Sequence, residues 1–225
     1  MTTGYDWDFS FLFPYAGTFL RALLVTIELS VGCTLLGTVL GFPMGALLRV
    51  RPLSWVLVPL NDIGRAIPTL VLMLFSFFFP YREVLGIRPP SPFVCALAAL
   101  TFAQAVFVSD VVRGALETVP DGLIRGGRAL GMRNPAIWRY LTLPHVLRTT
   151  LPTLVAFFIG NIKFTSLASV IACQEIVYVA SVAASQRSRY LEAWLVVAAM
   201  YVVLVLPLSY IGRRLETSSW LAARS

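Results

Sequence analysis

Charge is scarce in this chain of 225 residues: only 13% are Asp, Glu, Lys or Arg, about half the share found in a soluble domain. Lysine is almost missing, since seventeen of the eighteen basic residues are Arg and Lys163 is the exception. There is one histidine, His145, and there are three cysteines, Cys33, Cys95 and Cys173. Each shortage removes a class of chemistry. The cysteines have neither metal-ligand nor redox spacing, and two sit in apolar runs, so they read as small core residues. No cluster of His, Cys, Asp and Glu suggests a metal or redox centre, and no cofactor is expected. His145 has no G-x-S-x-G segment to work with, which argues against an intramembrane serine protease. No G-x-x-x-x-G-K-S/T run occurs, so ATP phosphates have no loop of the usual kind to rest in. The first fifteen residues carry Asp6 and Asp8 and no basic n-region. A cleavable signal peptide is therefore not expected, and the mature chain is expected to start near Met1.

Apolar residues are abundant, at 58% of the chain with a mean hydropathy of +0.80, which points to an integral membrane protein. The net charge of +7 fits the basic cytoplasmic loops of such proteins. No basic run interleaves with aromatics as a nucleic-acid groove requires, so no nucleic-acid partner is expected. A spanning helix needs about 20 apolar residues, and five stretches qualify: roughly 18–48, 55–80, 92–116, 149–172 and 192–212. Gly37, Gly41, Pro43 and Gly45 interrupt the first. Arg49, Arg51, Arg113, Arg125, Arg128, Arg133, Arg139, Arg148, Arg213, Arg214 and Arg224 fall on one side of these spans. Only Arg21, Arg82, Arg88, Arg187 and Arg189 fall on the other. Positive charge marks the cytoplasm, which puts the N-terminus outside and the C-terminus inside. The outer segment at 173–191 is moderately polar and is expected to form a short surface helix or a gate. Five helices seldom enclose a pathway alone, so an oligomer is expected.

Between Glu117 and Pro152 the apolar text pauses for a polar and basic segment, which on this topology is cytoplasmic. Asp121 is suited to cap a helix start, and Gly131 to take the left-handed position that ends one. Leu123, Gly127 and Leu130 share one face, while Arg125 and Arg128 lie together at i, i+3. The segment reads either as an interfacial helix lying on lipid or as a plug for a groove on a cytoplasmic partner.

Ala129–Met132 (ALGM), Trp138 and the run LTLPHVLRTTLP at 141–152 resemble the cytoplasmic EAA-type loop of bacterial ABC importer permeases. Further runs resemble the polar amino acid branch: TIEL from Thr26, DIGRAIP from Asp62, DVVRG from Asp110, KFTSLASV from Lys163 and RRLE from Arg213. The likeness covers roughly residues 16–216. It implies an all-α integral membrane protein of about five transmembrane helices with the MetI-like fold of type I ABC importers. That fold would form one transmembrane permease domain over residues 1–225 in the bacterial inner membrane. It further implies a coupling helix in the loop at about 117–148, with Asp121, Leu123, Arg125, Gly127, Arg128, Ala129, Leu130, Gly131 and Met132 facing an ATPase. The implied partners are an identical or homologous permease, two ATP-binding subunits and an extracytoplasmic solute-binding protein. This chain would itself not be an enzyme.

One departure is sharp: Arg125-Gly126-Gly127 stands where the family usually has Glu-Ala-Ala. Within the membrane, Lys163 is an ionisable group and so marks a candidate site. Asn161, Thr165 and Ser169 form a polar stripe beside Ser166, which also suits helix–helix hydrogen bonding. Together with Arg65, Asp110 and Glu175 these residues are the candidate substrate pathway; Asp110 and Arg113 are also spaced to pair locally, and Glu28 is a candidate pairing residue. Phe164 and Gly160 replace the family's usual Asp and frequent basic residue. The cargo expected from this is an amino acid or related zwitterion of modified type, such as an opine, a betaine-like solute or an aromatic amino acid. The competing classes are a secondary transporter, which needs midplane ion-coupling carboxylates, and a non-transporting scaffold or receptor.

Overall fold

Ten helices follow one another along residues 5–222, the part described by the computed structural model. They are α1 (Ala16–Leu47), α2 (Ser54–Ala66), α3 (Thr69–Phe78), α4 (Tyr81–Leu85), α5 (Pro92–Glu117), α6 (Asp121–Ala129), α7 (Asn134–Ile137), α8 (Leu143–Phe164), α9 (Ile176–Arg187) and α10 (Tyr190–Ala222). No strand occurs among the described residues. The expected start near Met1, Arg224, and the side chains of Arg213, Leu215 and Glu216 lie outside them.

Four stretches are long and apolar enough to cross a bilayer: Ser10–Leu47, Pro92–Glu117, Asn134–Ile171 and Tyr190–Gly212. A fifth crossing exists if α2 and α3 count as one span, but they meet at 91°. The single span expected at 55–80 is therefore a bent pair. Pro68 is the cause: a residue before proline is driven out of the helical region, and Ile67 is extended at ψ 122°. The span expected at 149–172 begins earlier, because α8 already starts at Leu143. α1, in contrast, runs unbroken through Pro43.

The helices divide into two compact units. The first comprises residues 1–33, 69–100 and 159–208. Its core sets Leu12, Phe19 and Ala22 against Ile176, Ala180, Ala183 and Ala184 of α9, with Ala193 and Val197 of α10. This corrects the surface-helix expectation for 173–191: the alanines of α9 are fully buried, and their small size lets other helices close over them. Cys33, Cys95 and Cys173 join Leu29, Met73 and Leu100 in a second apolar cluster, as small core residues. Tyr5 donates to Glu192 (2.9 Å), and Arg189 donates both to Glu192 (2.9 Å) and to the Asp6 carbonyl (2.8 Å), which ties the N-terminal segment to the start of α10.

The second unit comprises residues 34–68, 101–158 and 209–225. Here the glycines that interrupted the first apolar stretch become a packing groove. A side-chain carbon at Gly41 would lie 2.5 Å from the Ala105 carbonyl oxygen, and one at Gly45 2.5 Å from that of Ser109. The spacing of four places both glycines on one face of α1, where α5 approaches backbone to backbone. Val108, Val112, Leu116 and Val146 form the apolar core beside it. Ser109 donates to the buried Asn61 side chain at 2.8 Å, joining α5 to α2.

The glycine groove generates a test. Gly41→Val must push α5 away, and overpacking of this kind costs about 1–3 kcal/mol. The melting temperature of the detergent-purified protein should fall clearly, whereas Gly114→Ala, where added volume meets nothing within 4 Å, should hold it or raise it slightly. Equal melting temperatures for the two variants would contradict the close approach.

Candidate functional site

The polar interruption folds as a capped knob. α6 starts one residue earlier than a capping role for Asp121 requires: Pro120 occupies the cap, and Asp121 is the first helical residue. Its acid still lies in the first turn, where the helix dipole favours negative charge. The other end is as expected. Gly131 has φ +76°, its N–H donates to the Arg128 carbonyl (2.9 Å), and the Met132 N–H reaches the Gly127 carbonyl (3.0 Å). That reciprocal pair satisfies carbonyls which the helix end would otherwise leave free.

Periodicity then fixes what the knob shows. Gly127 is buried, and a side-chain carbon there would lie 2.8 Å from Leu141 and 3.3 Å from Ile137. Ile124 packs on the core of the second unit. Leu123, Arg125, Arg128 and Ala129 point outward, and Leu130 is 84% exposed. The face expected to unite Leu123, Gly127 and Leu130 is therefore split, because Gly127 serves the interior and the two leucines do not. Trp138 follows in a single π turn, Trp138–Thr142, and is 41% exposed. His145 Nε2 lies 3.2 Å from the Thr118 hydroxyl.

The candidate pathway residues fall into both units. In the first, α8 ends at Phe164 and gives way to a 3-10 stretch, Thr165–Ile171. The stripe expected at i, i+4 and i+8 is broken by this change of pitch. Thr165 is buried and donates to the Ile162 carbonyl (2.8 Å), Ser166 to Lys163 (2.7 Å) and Ser169 to Ser166 (2.7 Å). Those three hydroxyls donate to their own backbone. Asn161 is buried. Lys163 is exposed and has no ion pair among the described residues, and Phe164 beside it is 51% exposed. Glu28 on α1 is also exposed.

Glu175 stands in the loop that follows Ile171, outside the spans. It is fully buried and caps α9, accepting from the Val177 (3.0 Å) and Tyr178 (2.8 Å) N–H groups, with the Tyr201 hydroxyl at 3.4 Å. Burial pushes the nearby Cys173 thiol up to about 11, which leaves it unreactive. In the second unit Asp110 pairs with Arg113 as expected (2.8 Å), and its other oxygen takes Arg65 from α2 at 2.8 Å. The Arg65 guanidinium also lies 5.9 Å from the centre of the Phe107 ring. The Arg65–Asp110 bond joins positions 45 apart, which no local pattern connects.

Spans broken at a proline and at a 3-10 stretch, with a capped polar knob between the third and fourth, describe a multi-pass membrane protein. Residues 37–218 match the family of binding-protein-dependent transport system inner membrane components, and the chain belongs to that family. It is a multi-pass inner-membrane permease subunit of an ABC importer. Over 223 residues it is 30% identical to the octopine transport system permease protein OccM of Rhizobium radiobacter, covering 95% of this chain and 90% of that one. The arginine transport system permease protein ArtQ of Bacillus subtilis is 28% identical over 211 residues, covering 93% of this chain and 95% of the relative. A crystal structure of an amino acid ABC transporter with histidines superposes with a TM-score of 0.83 at 25% identity, covering 95% of this chain and 99% of that one.

The buried cap makes stability pH-dependent. Burial raises the Glu175 carboxyl from an ordinary 4.5 to about 7, against the opposing effect of the hydrogen bonds it accepts. The folded chain thus holds this proton more tightly than the unfolded chain does. Its contribution is greatest below about pH 4.5 and is lost as pH rises through about 7. The melting temperature of the wild-type protein should therefore fall between pH 5 and pH 8. Glu175→Gln, always neutral, should flatten that fall, and an identical slope in both proteins would assign it to other groups.

Proposed function

We propose that the chain works as a single transmembrane permease domain over residues 1–225, carrying amino acids or related zwitterionic solutes inward. It pairs with an identical or homologous permease, with two ATP-binding subunits and with an extracytoplasmic solute-binding protein. Its N-terminus lies on the periplasmic side and its C-terminus in the cytoplasm, in keeping with the distribution of arginines. ATP hydrolysis belongs to the partner subunit, since this chain has no phosphate-binding loop. The observation that carries the reading is the knob α6, closed at Gly131 and presenting Leu130 outward. A large exposed side chain on a rigid, capped helix is suited to filling a groove.

Through Asp121, Leu123, Arg125, Arg128, Ala129, Leu130 and Met132 this helix passes the motion of the ATPases to the spans, with Gly127 seating it on the permease. Lys163, Asn161, Thr165, Ser166, Ser169 and Glu175 belong to the substrate pathway on one unit, and Arg65 and Asp110 on the other. The exposed ammonium of Lys163 meets the carboxylate of the cargo. Relatives named for octopine, arginine and glutamine support an amino-acid-type cargo. Phe164 beside the lysine favours a modified or aromatic member of that class over arginine or glutamate.

Uptake in proteoliposomes with a panel of amino acids, opines and betaines tests the cargo. Lys163→Met should cut ATP-dependent uptake at least tenfold while the permease still assembles with its ATPase. Full uptake by that variant would sink the pathway assignment, and a clear preference for arginine or glutamate would sink the modified-cargo reading. Transport that persists with no ATP-binding subunit would favour a secondary transporter.

Gly131→Ile tests the coupling. A β-branched residue is strained at φ +76°, so the knob should open. Membrane insertion should be intact and ATPase docking lost; unchanged ATP-dependent uptake would refute the role.

A further inference from the structure

The knob is unusually basic for so small a surface. From Thr118 to Thr142 there are four arginines, Arg125, Arg128, Arg133 and Arg139, against one acid, Asp121. All four are exposed, and none has an ion pair among the described residues. Arg139 lies over the Tyr140 ring at 5.7 Å. On α6 itself, Arg125 and Arg128 flank a strip left bare by Gly122 and Gly126, where an added side-chain carbon would meet nothing within 4 Å. Leu123 and Leu130 stand on the far side of the strip. A partner can therefore approach the helix backbone closely between a wall of cations and a pair of leucines.

A lipid surface fits this face poorly. An interfacial helix needs a broad apolar face to bury in the headgroup boundary, and here the apolar side of α6 is already spent. Ile124 packs on the protein's own core and Gly127 is buried, which leaves two exposed leucines on the helix. Guanidinium groups beside a bare strip suit carboxylates instead, which they grip through paired N–H donors. We propose that α6 seats in a groove of the ATP-binding subunit whose walls carry Asp or Glu carboxylates opposite Arg125 and Arg128. This rests on the coupling role proposed for α6 and adds the charge of its receptor. An ATP-binding subunit with a basic groove is thereby excluded as the partner.

The test uses full-length permease in nanodiscs and the ATP-binding subunit that sustains ATP-dependent uptake through it. Binding is measured across a salt series, in nanodiscs of phosphatidylcholine alone and of phosphatidylcholine with phosphatidylglycerol. Wild-type affinity should fall steeply with salt. The double variant R125E/R128E should bind at least tenfold more weakly at low salt and lose most of that salt dependence. Replacing groove carboxylates of the ATP-binding subunit by Lys should restore binding to the double variant. Unchanged affinity and salt slope in R125E/R128E would overturn the proposal. So would a loss confined to nanodiscs holding phosphatidylglycerol, which would assign the arginines to anionic lipid. Gly131→Ile separates the two layers. If it abolishes docking while R125E/R128E does not, the coupling role stands and the acidic groove falls. If neither variant affects docking, the coupling role falls as well.

Discussion

Hydrocarbon offers a backbone no hydrogen-bond partner, so every departure from helix in the membrane must satisfy its own polar groups. Two departures among the described residues, at Ile67–Pro68 and after Phe164, carry the means to do so. At Ile67–Pro68 the broken residue is a proline, which brings no N–H to satisfy. After Phe164 the chain tightens to 3-10, and the Thr165, Ser166 and Ser169 hydroxyls bond to carbonyls three residues back. The stretch closes with Ala172 in the left-handed region and the Cys173 N–H on the Ala168 carbonyl. Glu175 then takes the first free N–H groups of α9. The 165–175 segment thus meets most of its polar demands locally, and the Tyr201 hydroxyl of α10 adds a contact to Glu175 at 3.4 Å.

The same constraint shaped what could be read from the sequence. Features governed by neighbouring residues were legible: the left-handed Gly131, the burial of the cysteines, the Asp110–Arg113 pair and the existence of five apolar stretches. Features governed by pitch or by distant partners were not. A polar stripe at i, i+4 and i+8 assumes one helical pitch, and the tightening after Phe164 removes that assumption. α9 looked like a surface element because Ser181, Ser185, Gln186 and Arg187 are polar, yet its alanines repeat toward the core. The glycines at 37, 41 and 45 looked like interruptions, although their spacing of four is the signature of close helix packing. Arg65 and Asp110 are 45 positions apart, and no local pattern joins them.

At α6 the interior and exterior demands on one short helix meet. Glycine in a helix interior costs about 1 kcal/mol relative to alanine, so Gly126 and Gly127 weaken α6 in isolation. Gly127 offsets the cost by letting Leu141 and Ile137 approach, and the paired hydrogen bonds at Gly131 hold the end closed. The helix depends on its seat more than on its own propensity. A knob seated this way on the chain beneath it suits the coupling role proposed for α6.

Lys163 poses the opposite problem. Its neighbours give it no counter-charge among the described residues, while an ammonium inside a span is costly unless water, a carboxylate or a carbonyl meets it. The hydroxyls nearest in sequence donate to their own backbone, and a neutral hydroxyl oxygen brings no counter-charge. In the pathway proposed for this chain, that compensation is the carboxylate of a zwitterionic cargo. With Phe164 exposed beside it rather than an acid, the site has one charge to offer and an aromatic face to finish the contact. The pairing proposed there would hold the carboxyl end of a solute and read its remainder by shape and apolar contact rather than by a second charge.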